Sequence, residues 1–276
     1  VLGLICCGGP TSTPSSSPDS AMGPMFDQGV VSMSEVGVGA PPPQGCNGAV
    51  HLCRRRFDQV TYATTHNAMS SEERMWFAPN QRYAVPTQLR DGVRGLMLDL
   101  HYGDEGALLL CHGDCAFGSQ PLVEGFTELN RFLTAHPREV VTVILESYVS
   151  PEDLQQALVA AGLAVRAYRP VPGQPWPTLG EMIEADTRFV VLSDVRADLA
   201  DFPHQGYVWD HAWETHWHAQ RPTDLNCDPN RGDPGHPLFI FNHFLTYPVA
   251  LEHLAESVNH DPDLSARVER CAAESG

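Results

Sequence analysis

Short, mostly apolar runs, several of them ending at a polar side chain and interspersed with helical patterns, constrain this chain more than any other feature. The runs fall at 60–65, 93–100, 108–111, 140–146, 188–193, 207–212 and 238–241. They are mostly continuous rather than alternating, as in strands covered on both faces. Helical patterns occupy 122–135, 151–161, 178–185 and 248–258, and Pro151 after Ser150 is a sensible first-turn proline. Strand–helix alternation predicts a parallel α/β fold. With 276 residues, 42% of them hydrophobic, the chain can bury one large core, either an α/β barrel or a large sandwich. A closed TIM-type (β/α)8 barrel over 45–276 would need eight strands. Seven strands are clear, so the eighth is either 163–168 or lies beyond Gly276. Residues 1–44 read as a signal-peptide remnant followed by a flexible Gly/Pro/Ser-rich linker.

The ends of the runs carry the chemistry. His66 and Asn67 end the first, Asp99 and His101 the second, His112 the third and Glu146 the fourth. In a parallel barrel such ends share one rim, where catalytic groups gather. Two imidazoles facing one phosphodiester can serve as base and acid near neutral pH. His66 would take a proton from an attacking hydroxyl, and His112 would return one to the leaving oxygen. Asn67, Asp99 and Glu146 are hard oxygen donors suited to one Ca²⁺. A His/carboxylate site for Zn²⁺ or Mn²⁺ is the competing metal reading.

Composition excludes several functions. All 17 basic residues are Arg, which rules out Schiff-base, pyridoxal and Walker-type lysines. A formal charge of −17 disfavours nucleic acid and anionic membranes as general electrostatic partners. No apolar run approaches the roughly 20 residues of a membrane-spanning helix. Six of the eight cysteines fall as close or late pairs, Cys46 with Cys53, Cys111 with Cys115 and Cys227 with Cys271. Beside an export-like start they read as disulfides, zinc being the alternative. The protein is therefore expected to be secreted or anchored to the cell envelope, with Cys7 a candidate lipidation site and a monomer the expected state.

At these residues the sequence resembles the phosphatidylinositol-specific phospholipase C X-domain family, within the PLC-like phosphodiesterase superfamily, and in particular its secreted single-domain branch. The matching stretches are Thr64-Thr-His-Asn-Ala, Gln88-Leu-Arg-Asp-Gly-Val-Arg-Gly-Leu-Met-Leu-Asp-Leu-His, Leu110-Cys-His-Gly and Val141-Thr-Val-Ile-Leu-Glu-Ser-Tyr-Val. Cys46-Asn-Gly, Leu52-Cys, Trp176-Pro-Thr-Leu, Glu181-Met-Ile and Phe239-Ile-Phe-Asn-His-Phe add to them. The resemblance implies a distorted TIM-type (β/α)8 barrel that cleaves phosphatidylinositol, or a related phospholipid, through an inositol cyclic phosphate. By motif it makes His66 and His112 the catalytic pair, and Asn67, Asp99 and Glu146 the calcium ligands. The sequence departs from the family where Met97 replaces a ligand carboxylate and where His101 stands in place of the arginine of the metal-free branch. The lack of lysine argues against a polyphosphorylated head group.

Arg94, His101 and Asn242 are candidate substrate-binding residues, Arg94 through a bidentate phosphate contact or else a structural ion pair. Trp76 and Phe77 follow the first strand and either dip into a lipid surface in a transient contact or pack on the barrel mouth. Glu214 is expected near the mouth with a hydrogen-bonding role. His204, His211, His216 and His218 read as scattered loop histidines, and Asp104 and Asp114 as solvated charges. Two other functions remain in competition: a glycerophosphodiester or other phospholipid diesterase, and a non-catalytic exported binding module.

Overall fold

The computed structural model describes residues 2–7, 45–246 and 252–274. Among the described residues, eleven strands follow in order. They are β1 (Leu2–Cys7), β2 (Tyr62–Thr65), β3 (Gly95–Tyr102), β4 (Leu108–Leu110), β5 (Gln120–Pro121), β6 (Val141–Ser147), β7 (Phe189–Ser193), β8 (Gly206–Tyr207), β9 (Ala212–Thr215), β10 (Pro229–Gly232) and β11 (Leu238–His243). The helices are α1 (Val85–Arg90), α2 (Leu122–Ala135), α3 (Pro151–Ala160), α4 (Leu179–Glu184), α5 (Glu252–Glu256) and α6 (Asp263–Glu274). The expected linker, from residue 8 to 44, lies outside the described residues.

One mixed sheet runs β10-β9-β11-β1-β2-β3-β6-β7-β8. The steps β2–β3, β3–β6, β6–β7, β7–β8 and β9–β11 are parallel, while β1 lies antiparallel between β2 and β11. The leader-like segment thus fills a strand position. Among the described residues no pairing joins β8 to β9, so a continuous closed barrel ladder is not formed.

Two sequence expectations need correction. The run at 108–111 is not a barrel strand but β4, which turns back antiparallel along β3 and pairs onward with β5. The stretch 163–168 is no eighth strand: it holds a 3-10 turn over Ala164–Arg166 and a single bridge, Ala167 to Phe189. Gly162 just ahead of it sits at φ +72°, ending α3 rather than starting a strand.

Strand parity divides the sheet into two faces. Leu96, Leu98, Leu100, Val141, Val143, Leu145, Phe189 and Val191 bury against Phe126, Leu129 and Leu133 of α2 and Leu154 and Leu158 of α3. The alternate residues Tyr62, Met97, Ile144, Val190, Leu192, Ala212, Leu238 and Ile240 pack together on the other face. Each such buried side chain contributes about 1.5–3 kcal/mol. Gly95 allows the β2–β3 approach, since a Cβ there would fall 2.1 Å from Thr64 Oγ1. Ser150 caps α3, where the sequence places a helix start, and Thr178 with Glu181 forms a capping box on α4.

Candidate active site

Parity and register together assemble the site. Asp99 and Glu146 are direct neighbours across the parallel β3–β6 pair, one step beyond Met97 and Ile144. Extending the same face past β2 and β7 brings in His66 and Asp194, while Glu214 and Asn242 arrive on β9 and β11. These residues line one cavity of about 550 Å³, within the usual range for a small-molecule site.

His112 reaches this cavity by a route that strand counting misses. It follows β4, which descends antiparallel to β3 and returns the chain to the level of Asp99, whose carbonyl accepts a hydrogen bond from Cys111 N. The Cys111–Cys115 disulfide, with Cα atoms 5.1 Å apart, closes the loop that carries His112. The Cys46–Cys53 and Cys227–Cys271 bridges also match the sequence expectation.

The two imidazoles occupy opposite environments. His112 is half exposed and its Nδ1 lies 2.8 Å from Asp99 Oδ2. That hydrogen bond raises the His112 pKa against partial burial, and the charges of Asp99 and Glu146 add to it. With Nδ1–H donated to Asp99, Nε2 is left for a ligand. His66 is pushed down to about 3, first by burial and then by repulsion from His112. Its ring stacks on Phe244 at 4.4 Å, and Nδ1 has no hydrogen-bond partner among the described residues. Its carbonyl accepts a hydrogen bond from Gln81 Nε2 at 2.6 Å.

The oxygen donors are held but not exhausted. Asn67, at φ 50°, donates through Nδ2 to Asn80 Oδ1, and its own Oδ1 accepts no hydrogen bond among the described residues. Asp99 uses Oδ2 for His112. Glu146 Oε1 accepts from Tyr148 Oη at 2.5 Å, a bond that with burial lifts the phenol to about 12. Burial raises the Asp99 carboxyl, opposed by the His112 bond and reinforced by Glu146. Two carboxylates and an amide oxygen around this crowded negative charge fit a hard divalent cation. Among the described residues no group of three His, Cys, Asp or Glu side chains forms a metal cluster, and the donor set here includes an amide.

The remaining candidates separate clearly. Arg94 must be corrected: it precedes β3, at the other end from Asp99, and donates to Glu139 Oε2 at 2.7 Å and to the carbonyls of Leu89 and Val93. Its guanidinium also lies over Phe132, so the structural ion pair prevails over the phosphate contact. His101 stands beside the rim, stacked on Tyr148 at 4.4 Å, and is not part of the cavity lining. Asn242 lines the cavity with its amide committed to Glu214 Oε2 and the Thr215 carbonyl. Trp76 is buried, whereas Phe77 is exposed. His211 is buried beside Trp176, His204 and His216 lie apart, and only His218 of that tract lines the cavity.

Sequence reasoning missed Asp194 and Arg231. Asp194 accepts a hydrogen bond from Ser147 N at 2.8 Å; burial raises its carboxyl, while that bond and the charge of Arg231 hold it down against Glu146. The parity of Val190 and Leu192, carried two residues further, points to Asp194. Arg231 sits in a hairpin no apolar pattern announces.

A family model described as PI-PLC X 1 matches residues 52–273. A PI-PLC X domain-containing protein of Arabidopsis thaliana is 32% identical over 246 residues, covering 80% of this chain and 56% of its own length. An uncharacterized secreted protein of Arthroderma benhamiae is 27% identical over 221 residues, covering 75% of this chain and 49% of its own. The chain thus spans about half the length of these two relatives. Among solved structures, a phosphatidylinositol-specific phospholipase C of S. aureus aligns at a TM-score of 0.39 and 16% identity, covering 52% of this chain and 49% of that one.

Proposed function

The chain belongs to the PI-PLC X domain family, and from that premise we propose that it is an exported phosphodiesterase that cleaves phosphatidylinositol or a related phospholipid. The observation that carries this reading is that His66 and His112 line a single cavity, His112 with its Nδ1 held by Asp99. In the proposed reaction His66 is the base, and His112, oriented and raised by Asp99, is the acid.

His66 takes the proton of the ring hydroxyl next to the phosphate. The hydroxyl oxygen bonds to phosphorus, the bond to the glycerol oxygen breaks, and His112 protonates that oxygen as diacylglycerol leaves. The product is an inositol cyclic phosphate. Water can then open the ring with the two roles reversed. Asp99 fixes the tautomer and orientation of His112 throughout. Asn67, Asp99 and Glu146 are the residues that would hold Ca²⁺, which when bound supplies positive charge against the phosphate oxygens.

Export agrees with the three disulfides and with the secreted designation of the A. benhamiae relative. Transient contact with a membrane surface belongs to the same reading, because the exposed Phe77 and Phe117 lie beside His112 in an adjoining cavity.

The test offers phosphatidylinositol to wild type, His66→Ala and His112→Ala, with calcium and with chelator. Wild type should release cyclic inositol phosphate, and each variant should lose about 10²–10⁴-fold in kcat. Chelator should lower turnover. Undiminished turnover by either variant removes that residue from the mechanism, and turnover indifferent to chelator removes the cation.

A further inference from the structure

In the proposed reaction both imidazoles present a nitrogen to one phosphodiester. A histidine ring turns easily about χ2, which is a broad and roughly two-fold torsion. His112 is fixed by the hydrogen bond from its Nδ1 to Asp99. His66 has no such bond: its Nδ1 is buried without a partner among the described residues, and Gln81 holds its backbone at the carbonyl. Something other than a hydrogen bond at Nδ1 must set the plane of this ring.

That part falls to Phe244. Its ring lies on the His66 ring with centroids 4.4 Å apart and planes inclined by 21°. Phe244 is 1% exposed and is not part of the cavity lining, so it backs His66 without reaching the substrate. Strand parity brings the two together. Phe244 continues the face of Ile240 and Asn242 past the end of β11, and His66 continues the face of Tyr62 past the end of β2, with β1 between the two strands. A near-parallel neighbour at this distance stops rotation about χ2, because an imidazole turned edge-on would drive its atoms into the phenyl face.

The backing is itself held firmly. His243, one residue earlier, is buried; its Nδ1 accepts from Arg267 Nη1 at 3.0 Å, and its Nε2 donates to the Val258 carbonyl at 3.1 Å. Asn242 N donates to Thr215 Oγ1 at 3.0 Å, and Thr246 N donates to the Ala219 carbonyl at 2.8 Å. Phe244 thus sits in a stretch fastened on both sides. The two imidazoles are held by different means, one through a carboxylate and the other through a stacked ring.

We infer that Phe244 is a positioning residue for the reaction, whose face fixes the plane of the His66 ring so that its cavity-side nitrogen points at the attacking hydroxyl. The hydroxyl rests on the phosphodiesterase reading, while the fixing of the ring stands on the stack.

The experiment compares wild type with Phe244→Leu, which keeps an apolar side chain without a flat face, and Phe244→Tyr, which keeps the ring. Three readouts are taken: KM and kcat on phosphatidylinositol, binding of myo-inositol 1-phosphate, and NMR of isotopically labelled histidine rings, assigned with His66→Ala and His112→Ala. In wild type the His66 ring protons should resonate upfield, under the ring current of Phe244, as one narrow set. Phe244→Leu should lose that displacement. Its kcat should fall about 10–100-fold, with KM and inositol phosphate binding within a few-fold of wild type. Phe244→Tyr should restore most of kcat and the upfield position. The His112 signals should stay in place in both variants.

Undiminished kcat in Phe244→Leu, or a loss as deep in Phe244→Tyr, would overturn the inference. So would weakened inositol phosphate binding, or His112 signals that move along with those of His66, because either marks a general disturbance of the cavity. If wild type turns over nothing while Phe244→Leu still displaces the His66 signals alone, the phosphodiesterase reading fails and the fixing of the ring stands. His66 signals that are the same in wild type and Phe244→Leu overturn the positioning role whatever the turnover.

Discussion

A histidine's value in this protein depends on what reaches its ring. His112 gains a carboxylate and is raised, while His66 and His211 lose water and are lowered, His211 to about 4. His211 is 3% exposed and lies edge-on to Trp176, with a buried Nε2 that has no partner among the described residues. Its free value is 6.5, so between 6.5 and about 4 the unfolded chain holds a proton that the folded chain refuses. Stability from this residue is therefore complete above pH 6.5 and declines as pH falls toward 4, by about 3 kcal/mol at the limit. Denaturant titrations at pH 7 and 4.5, disulfides intact, should show a smaller acid loss in His211→Phe than in wild type. An identical loss would mean that the ring is not kept neutral by burial.

At the scale of elements, the last helix acts as a clasp. Arg267 of α6 is 4% exposed and donates to the carbonyls of Asn242 and Asn226, with its guanidinium over Phe241. The Cys227–Cys271 bridge ties the same helix to the chain between β9 and β10. Arg267→Met should cost about 3 kcal/mol by leaving buried carbonyls unpaired. Denaturation with the disulfide intact measures this, and a loss below 1 kcal/mol would show the guanidinium to be dispensable. The apolar strands and α2 to α4 were legible in sequence because one face of each is continuous core. The site was legible where it lies on that rhythm: His66, Asp99 and Glu146 each end an apolar run. Arg94 misled because the sequence does not say which end of a strand meets the cavity; only register against β2 and β6 does. His112 was found for an incomplete reason, since apolar β4 looks the same whether it runs with β3 or returns along it. Arg231 was invisible because Pro229–Gly232 has no apolar rhythm and owes its position to contacts with β9.

For the whole molecule, the charge of −17 and the surface near the cavity mouth pull in different directions. Met75, Phe77 and Phe117 are 91%, 70% and 54% exposed. Phe77 and Phe117 sit together, rings 5.3 Å apart, with Phe77 N donating to the Phe117 carbonyl. They line a second cavity of about 380 Å³ that shares His112 with the first. On the proposed reading, the polar head group and the apolar leaving alcohol would have separate walls on either side of His112. In the proposed membrane contact, so negative a protein would gain nothing from general attraction to an anionic surface, and these apolar side chains would supply the binding, each worth about 1.5–3 kcal/mol when buried. Binding to neutral phosphatidylcholine vesicles should be nearly independent of salt. Binding to vesicles with added phosphatidylserine should be weaker at low salt and recover as salt screens the repulsion. Co-sedimentation of Phe77→Ser/Phe117→Ser should fall about tenfold or more on both vesicle types, while turnover of a soluble inositol phosphodiester is retained. Stronger binding to the anionic vesicles as salt is lowered would place attraction in a local cationic patch and remove the aromatic pair from the contact.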